Sequence, residues 1–169
     1  MDIEQRLRRL EDEKAILDTL YAYGHGLDYG REDAWMDCWT EDAVLDWPGR
    51  AFMRGHAQLR AGFRAHSHAP AMYHKHVVVE PMISVHGDTA TVQSMFARLD
   101  RYPDGPGIRA FGRYRDTLVR CPDGRWRFTE RLPDIEAVRE QAPLGGEPFP
   151  DSQVMRQAMA AAAPRPPIA

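Results

Sequence analysis

Four of the seven histidines fall within eleven residues: His66, His68, His74 and His76. His74 and His76 lie two apart in an apolar, β-branched run, so on a strand they share a face. A buried neutral imidazole can serve as general base, metal ligand or core residue, and the residues alone leave the three open. Asp28 is a carboxylate that could pair with one of them. It lies near the end of a predicted N-terminal helix. With Leu20 at zero, Leu27 falls at about 340° and Asp28 at about 80° around the helix axis, at roughly 100° per residue. Asp28 therefore sits at the edge of the apolar stripe. A carboxylate there is only partly solvated and is kept if something pairs with it; local hydrogen bonding in the last turn is the alternative. Tyr23, about 140° away on the same helix, could flank a pocket mouth and donate to a substrate oxygen, or could fill a helix–sheet seam. Arg131 closes the run Trp126-Arg127-Phe128-Thr129-Glu130-Arg131. Glu130 shares the alternating face of Trp126 and Phe128, which leaves the direction of Arg131 open. It is a clamp for an anionic group or a surface residue.

A metal reading competes for the same histidines. His74-x-His76-x3-Glu80-x6-Gly87 fits the first metal motif of the cupins, and such an N/O set suits iron, manganese or zinc. A cupin needs a second motif with a distant histidine, and none occurs after His86. The helical first third is also wrong for a cupin barrel. No metal is therefore expected at His74, His76 and Glu80.

The elements that must position these groups follow from periodicity. Residues 3–29 read as one helix with Ile16, Leu20, Tyr23 and Leu27 as its buried stripe; Gly24 and Gly26 weaken its last turns, and Gly30 is a plausible end. A second helix is expected over 33–39, with Trp35, Met36 and Trp39 on one face, then a strand from Ala43 to Trp47 and a third helix over 56–66 with Leu59 and Phe63 inward. Long strands follow at Tyr73–Val85, Thr89–Tyr102, Arg109–Arg120 and Arg125–Arg131. Pro81 marks a bulge or bend, and His86-Gly87-Asp88 and Pro122-Asp123-Gly124 read as turns. Residues 134–141 suggest a short helix. Consecutive strands with short connections pair as neighbours. The expectation is an α+β domain over 1–142, with N-terminal helices packed on a curved antiparallel sheet around a pocket, and a Pro/Ala-rich tail over 143–169.

Composition bounds the function. A chain of 169 residues is one domain and can bury a core without disulfide or metal. Cys38 and Cys121 form neither a framework nor a CxxC pair. The net charge of −3, with signs mixed along the chain, argues against nucleic acid. The scattered arginines, among them Arg98 and Arg109, read as a solvated face. A charged start and the lack of an apolar run of ~20 residues lead to the expectation of a soluble cytoplasmic protein.

Read together, these pieces resemble the SnoaL-like branch of the nuclear transport factor 2-like superfamily over about residues 10–132. The resemblance is carried by Ala15-Ile16 with Leu20-Tyr21 and Tyr23; Gly26-Leu27-Asp28; Trp39-Thr40-Glu41-Asp42-Ala43; Gly55 with Phe63; His76 to Gly87-Asp88-Thr89-Ala90; Gly112-Arg113-Tyr114-Arg115-Asp116; and Asp123 to Phe128. It implies a cone of three helices and a curved sheet around a pocket, assembled as a homodimer or homotrimer. Within the branch that is similar to scytalone dehydratase, hexachlorocyclohexane dehydrochlorinase and bile acid 7-alpha-dehydratase, Asp28 and His76 match an Asp/His dyad. Tyr23 and Arg131 match further functional positions. Leu45 stands where the dehydrochlorinase has a pocket tryptophan, and a second catalytic histidine of scytalone dehydratase has no match. The implied activity is a cofactor-free dehydratase-type lyase. His76 would take a proton, with His74 as rival base, and Tyr23 or Arg131 would stabilise the oxyanion. Trp39, Leu45, Trp47, Phe63 and Met72 would wall in a compact hydrophobic ring compound. An isomerase, a cyclase, a ligand-binding protein or an oxygenase small subunit is the alternative.

Overall fold

The computed structural model describes residues 2–145. Helix α1 spans Ile3–Asp28. Its start is fixed by a reciprocal cap: the Asp2 carboxylate accepts from the Gln5 amide at 2.8 Å, and the Gln5 side chain accepts from the Asp2 amide at 3.1 Å. Its buried residues include Asp12, Ile16, Thr19, Leu20, Tyr23, Leu27 and Asp28, the 3.6-residue stripe of a helix lying on a sheet. The expected stripe is thus present, and it carries Asp28 inward.

Gly24 and Gly26 do more than weaken the last turns. A Cβ on Gly24 would stand 3.1 Å from the His76 carbonyl oxygen, and one on Gly26 would stand 2.8 Å from the Trp35 Cβ. Bare backbone at these positions lets the His76 strand and the next helix approach α1 closely.

Short helix α2 (Glu32–Met36) ends before Trp39, which the helical reading had included. Trp39 instead opens strand β1 (Trp39–Trp47). A short strand β2 (Ala51–Arg54), not foreseen, follows. Then come α3 (Gly55–Ala65), β3 (Lys75–His86), β4 (Thr89–Tyr102), β5 (Gly105–Arg120) and β6 (Trp126–Val138). Of the helix expected over 134–141, residues 134–138 are instead the far end of β6, held by pairing with β5, and 139–141 lie beyond the strand. Tertiary pairing overrides weak local propensity here. The tail expected over 143–169 lies outside the described residues from 146 onward.

The sheet corrects the expected architecture. Its order is β2-β1-β6-β5-β4-β3, and β1 runs parallel to β6 while the other pairs are antiparallel. The sheet is mixed, and it is neither curled nor closed into a cone: β2 and β3 are free edges. The pairing of consecutive strands holds from β3 to β6. It holds for β1 and β2 as well but fails between β2 and β3, and β1 gains a second, parallel partner in β6, to which the long intervening stretch returns the chain in the same direction. Period-two alternation carries no information on that return.

Two irregularities place side chains. The β3–β4 register shifts between Val79 and Met82, where Glu80 has φ 49° and Pro81 follows. This is the bulge that Pro81 signalled, and it leaves Glu80 exposed. On β6, Thr117 pairs with Glu130 but Leu118 pairs with Phe128, so Thr129 is an extra residue. A bulge of this kind reverses the alternation and turns Arg131 inward, to 0% exposure.

The core lies between α1 and one sheet face, with Ile16, Leu20, Trp39, Val92, Leu118, Trp126 and Phe128 at its centre. The opposite face exposes Val77, Val79, Met95 and Phe111. Among the described residues no helix is long and apolar enough to cross a membrane.

Candidate active site

At the C-terminal end of α1, Asp28 is held from several sides. Its backbone carbonyl accepts from the Ala69 amide at 3.1 Å. The neighbouring Leu27 carbonyl meets Nδ1 of His68, whose Nε2 meets the Phe63 carbonyl at 2.9 Å. His68 thereby ties the ends of α1 and α3 together. The Asp28 carboxylate faces β3, where Oδ2 accepts from the His76 amide at 3.0 Å and Oδ1 lies 2.6 Å from His76 Nδ1. One carboxylate thus holds both the strand backbone and the ring of the same histidine. Burial pushes the Asp28 pKa up, but the hydrogen bonds and charge of His76 outweigh it and hold the acid below its ordinary value.

His74 lies beside this pair with its Nε2 3.4 Å from Asp28 Oδ1, and its side chain is wholly buried. Neither ring nitrogen has a hydrogen-bond partner. Burial above all, then the neighbouring charges of His76 and Arg98, pushes its pKa down to about 3. Asp28, His74 and His76 bring one ligand atom each within 4.8 Å of one another. This is a set able to hold a metal, and it uses Asp28 where the sequence motif had offered Glu80. His66 completes the cluster from the end of α3, its ring 5.0 Å from that of His74 and 6.0 Å from that of His76. Burial first, then His76 and Arg98, pushes its pKa down to about 4.

His76 and His66 open onto a cavity of about 400 Å³ between the helices and the sheet. Leu27, Trp35, Leu45, Trp47, Met53, Phe63 and Phe96 supply apolar walls, and Tyr23 and Tyr114 line it as well. Burial raises the Tyr23 pKa, opposed in part by the charge of Arg131. Burial, then Tyr23, raises that of Tyr114. Both hydroxyls therefore stay protonated at neutral pH and can donate.

Residues 8–132 match the family model of the SnoaL-like domain. The chain belongs to the SnoaL-like domain family. Solved structures of the nuclear transport factor 2-like superfamily share the architecture of this SnoaL-like domain. One, an NTF2-like protein with a cystatin-like fold from Novosphingobium aromaticivorans, is 26% identical with a TM-score of 0.74, over 82% of this chain and 90% of that one. A candidate aromatic ring hydroxylase from the same organism is 30% identical with a TM-score of 0.63, over 80% and 94%. A candidate scytalone dehydratase, also from that organism, is 20% identical with a TM-score of 0.69, over 84% and 95%; at that identity the likeness is one of fold. No curated protein matches this chain in sequence.

Of the residues singled out in the sequence, the SnoaL-like domain brings Asp28, His74 and His76 together and places His76, Tyr23, Leu45, Trp47 and Phe63 on the cavity. Trp39 is a core residue, packed against Tyr23, Trp35 and Phe128. Met72 meets Arg98 Nη2 through its sulfur at 3.5 Å and is not on the lining. Arg131 is sealed away. Its guanidinium makes two 2.8 Å bonds to Asp116 and lies 4.2, 4.1 and 4.3 Å from the ring centres of Tyr23, Tyr114 and Phe128. Burial works against its charge, but Asp116 outweighs that and raises its pKa. Among the lining residues that the sequence did not assign to the cavity are His66 and Tyr114. His66 is three residues after Phe63, on the same helical face, which could have found it. Tyr114 shares its alternating face with Asp116, the strand partner of Arg131.

Proposed function

We propose that this SnoaL-like domain is a cofactor-independent lyase of the dehydratase type, acting on a compact hydrophobic ring compound. The supporting observation is the 2.6 Å contact between Asp28 Oδ1 and His76 Nδ1 beside an apolar cavity that His76 lines. With its proton on Nδ1 and donated to Asp28, His76 presents a bare Nε2 as a base. The base takes a proton from a carbon next to a carbonyl group. The C–H electron pair moves to the carbonyl oxygen, where Tyr23 and Tyr114 can donate to the oxyanion. The pair returns as the leaving group departs from the next carbon, and the proton on His76 can pass to that group as water leaves. Asp28 stabilises the imidazolium in between. Arg131 acts through the two tyrosine rings it stacks on, as a positioning residue.

Hydroxylated ring ketones in deuterated water test this reading. The folded wild type should exchange the α-hydrogen, and His76→Ala should lose that exchange almost wholly. Equal exchange in both proteins would end the assignment of His76 as base.

One observation favours a second reading. A buried histidine with two unpartnered nitrogens is costly, and His74 is such a residue. Two imidazoles and a carboxylate suit Fe(II), Mn(II) or Zn(II). The 30% identity to a candidate aromatic ring hydroxylase is in keeping with a role beside or within an oxygenase. Elemental analysis of protein purified without chelator decides between the two. The lyase reading expects no stoichiometric metal, whereas one ion per chain that disappears in His74→Ala would replace the dyad with a metal centre.

As further parts of the proposal, residues 1–142 form the domain, 143–169 are a dispensable tail, the protein is cytoplasmic, and the exposed apolar face of β3–β5 pairs copies into a dimer or trimer. Sedimentation equilibrium returning a monomer would remove the last. A large loss of melting temperature on truncation after Ala142 would remove the dispensable tail.

A further inference from the structure

Among the described residues the cavity lining holds three arginines, Arg50, Arg98 and Arg109, and no aspartate or glutamate. Their charges are compensated unequally. Arg98 is neutralised by the buried Asp100, through bonds of 2.8 and 3.1 Å. Arg109 Nη1 donates instead to two main-chain carbonyls, those of Arg139 and of Gln141, the latter at 2.8 Å. These bonds fix the guanidinium without cancelling its charge. Arg50 lies over the Trp47 ring at 5.5 Å, and the ion pairs among the described residues include neither it nor Arg109. An apolar cavity carrying two uncompensated guanidinium groups is complementary to an amphiphilic anion.

Register sets where the anion would lie. His76 pairs with Arg98 across β3–β4, and Arg98 pairs with Ala110, the neighbour of Arg109, across β4–β5. Arg109 is therefore two strands from His76, about 10 Å of backbone at roughly 4.8 Å per strand. A charge bound there sits across a ring system from the carbon that His76 would attack.

We propose that the ligand of this cavity is a ring carboxylic acid. Arg109 binds the carboxylate, two strands from His76, and Arg50, elsewhere on the same lining, adds positive charge. The position of the reacting carbon rests on the lyase reading; the binding of the anion does not. The guanidinium fork matches a carboxylate with two parallel hydrogen bonds.

Titration calorimetry with two probes of one ring and different charge tests the proposal: 2-naphthoate and 2-naphthalenemethanol. The wild type should bind the naphthoate about tenfold tighter or more at low ionic strength, with the preference shrinking as salt screens it. Arg109→Gln should bring the two probes close to parity without weakening the alcohol. Arg109→Lys should keep part of the preference. Arg50→Gln alters an exposed residue and should reduce the preference with the fold untouched. Equal affinities in the wild type, failure of 2-naphthoate to bind at millimolar concentration, or a preference surviving in the folded Arg50→Gln/Arg109→Gln double variant would each overturn it. The His76→Ala variant separates this claim from the lyase reading, because it should lose exchange yet keep the charge preference.

Discussion

Among the carboxylates that the chain buries against basic side chains, Asp116 and Asp28 have opposite fates. Asp116 and Arg131 are direct partners across β5 and β6, joined by two 2.8 Å bonds, with both side chains at 0% exposure. Asp28 and His76 join a helix end to a strand, and the histidine reaches the cavity. The difference lies in the partner. A guanidinium engaged by a carboxylate and enclosed by three aromatic rings is a fixed charge that supports the rings around it. An imidazole spends one nitrogen on the carboxylate and keeps the other for chemistry. Burial of an ion pair by itself therefore does not mark a reactive site; a reactive atom left over at a cavity does.

This contrast can be broken from either side. The largest effect should come from the sealed pair. Asp116→Ala leaves the Arg131 charge unpaired in the core and should cost about 3–5 kcal/mol of stability, read from the urea midpoint. Asp28→Asn should keep the fold, because the histidine left behind can shed its charge, yet lower the rate of proton abstraction by roughly 10²–10⁴. If Asp116→Ala unfolds no more easily than Asp28→Asn, the two pairs are not different in kind. Tyr23→Phe should cost less, roughly 10–10², since Tyr114 remains as a second donor to the oxyanion.

The pairs were unequally legible in the sequence. The periodicity of α1 put Asp28 at the edge of the apolar stripe, and strand alternation put His74 and His76 on one face; the pairing of Asp28 with His76 came from the family resemblance. Arg131 did not, because the extra residue Thr129 reverses the phase of β6 and bulges carry little sequence signal. Trp39 fits a helical face with Trp35 and Met36, yet pairing with β6 draws it into a strand. The parallel β1–β6 pairing joins segments nearly ninety residues apart, beyond the reach of any local pattern. The arginines read as solvated included Arg98 and Arg109, since charge alone does not tell a solvated face from a cavity wall.

The smallest effect is a difference in slope. The His74 pKa is pushed from its ordinary 6.5 down to about 3, so the unfolded chain binds a proton there that the folded one does not. Stability is lost as pH falls from about 6.5 towards 3. The lowered Asp28 pKa acts in the same direction below pH ~4, its stabilisation fading as pH falls through the folded value. The groups facing His74 are Asp28, His66, His76 and Arg98. Replacing His74 with Leu should flatten the loss between pH 6.5 and 4 in urea titrations at stepped pH. An unchanged slope would mean that His74 is not held neutral.

The most direct test of the Asp28–His76 assignment needs no substrate. Nitrogen-15 NMR of histidine-labelled protein reports which ring nitrogen of each imidazole carries the proton. At neutral pH the His76 ring should be protonated at Nδ1, with that proton deshielded by its bond to Asp28 and with Nε2 bare; Asp28→Asn should abolish the deshielding. A His76 ring carrying its neutral-state proton on Nε2, in folded wild-type protein, would contradict the account, because the nitrogen assigned as base would then have no lone pair to offer.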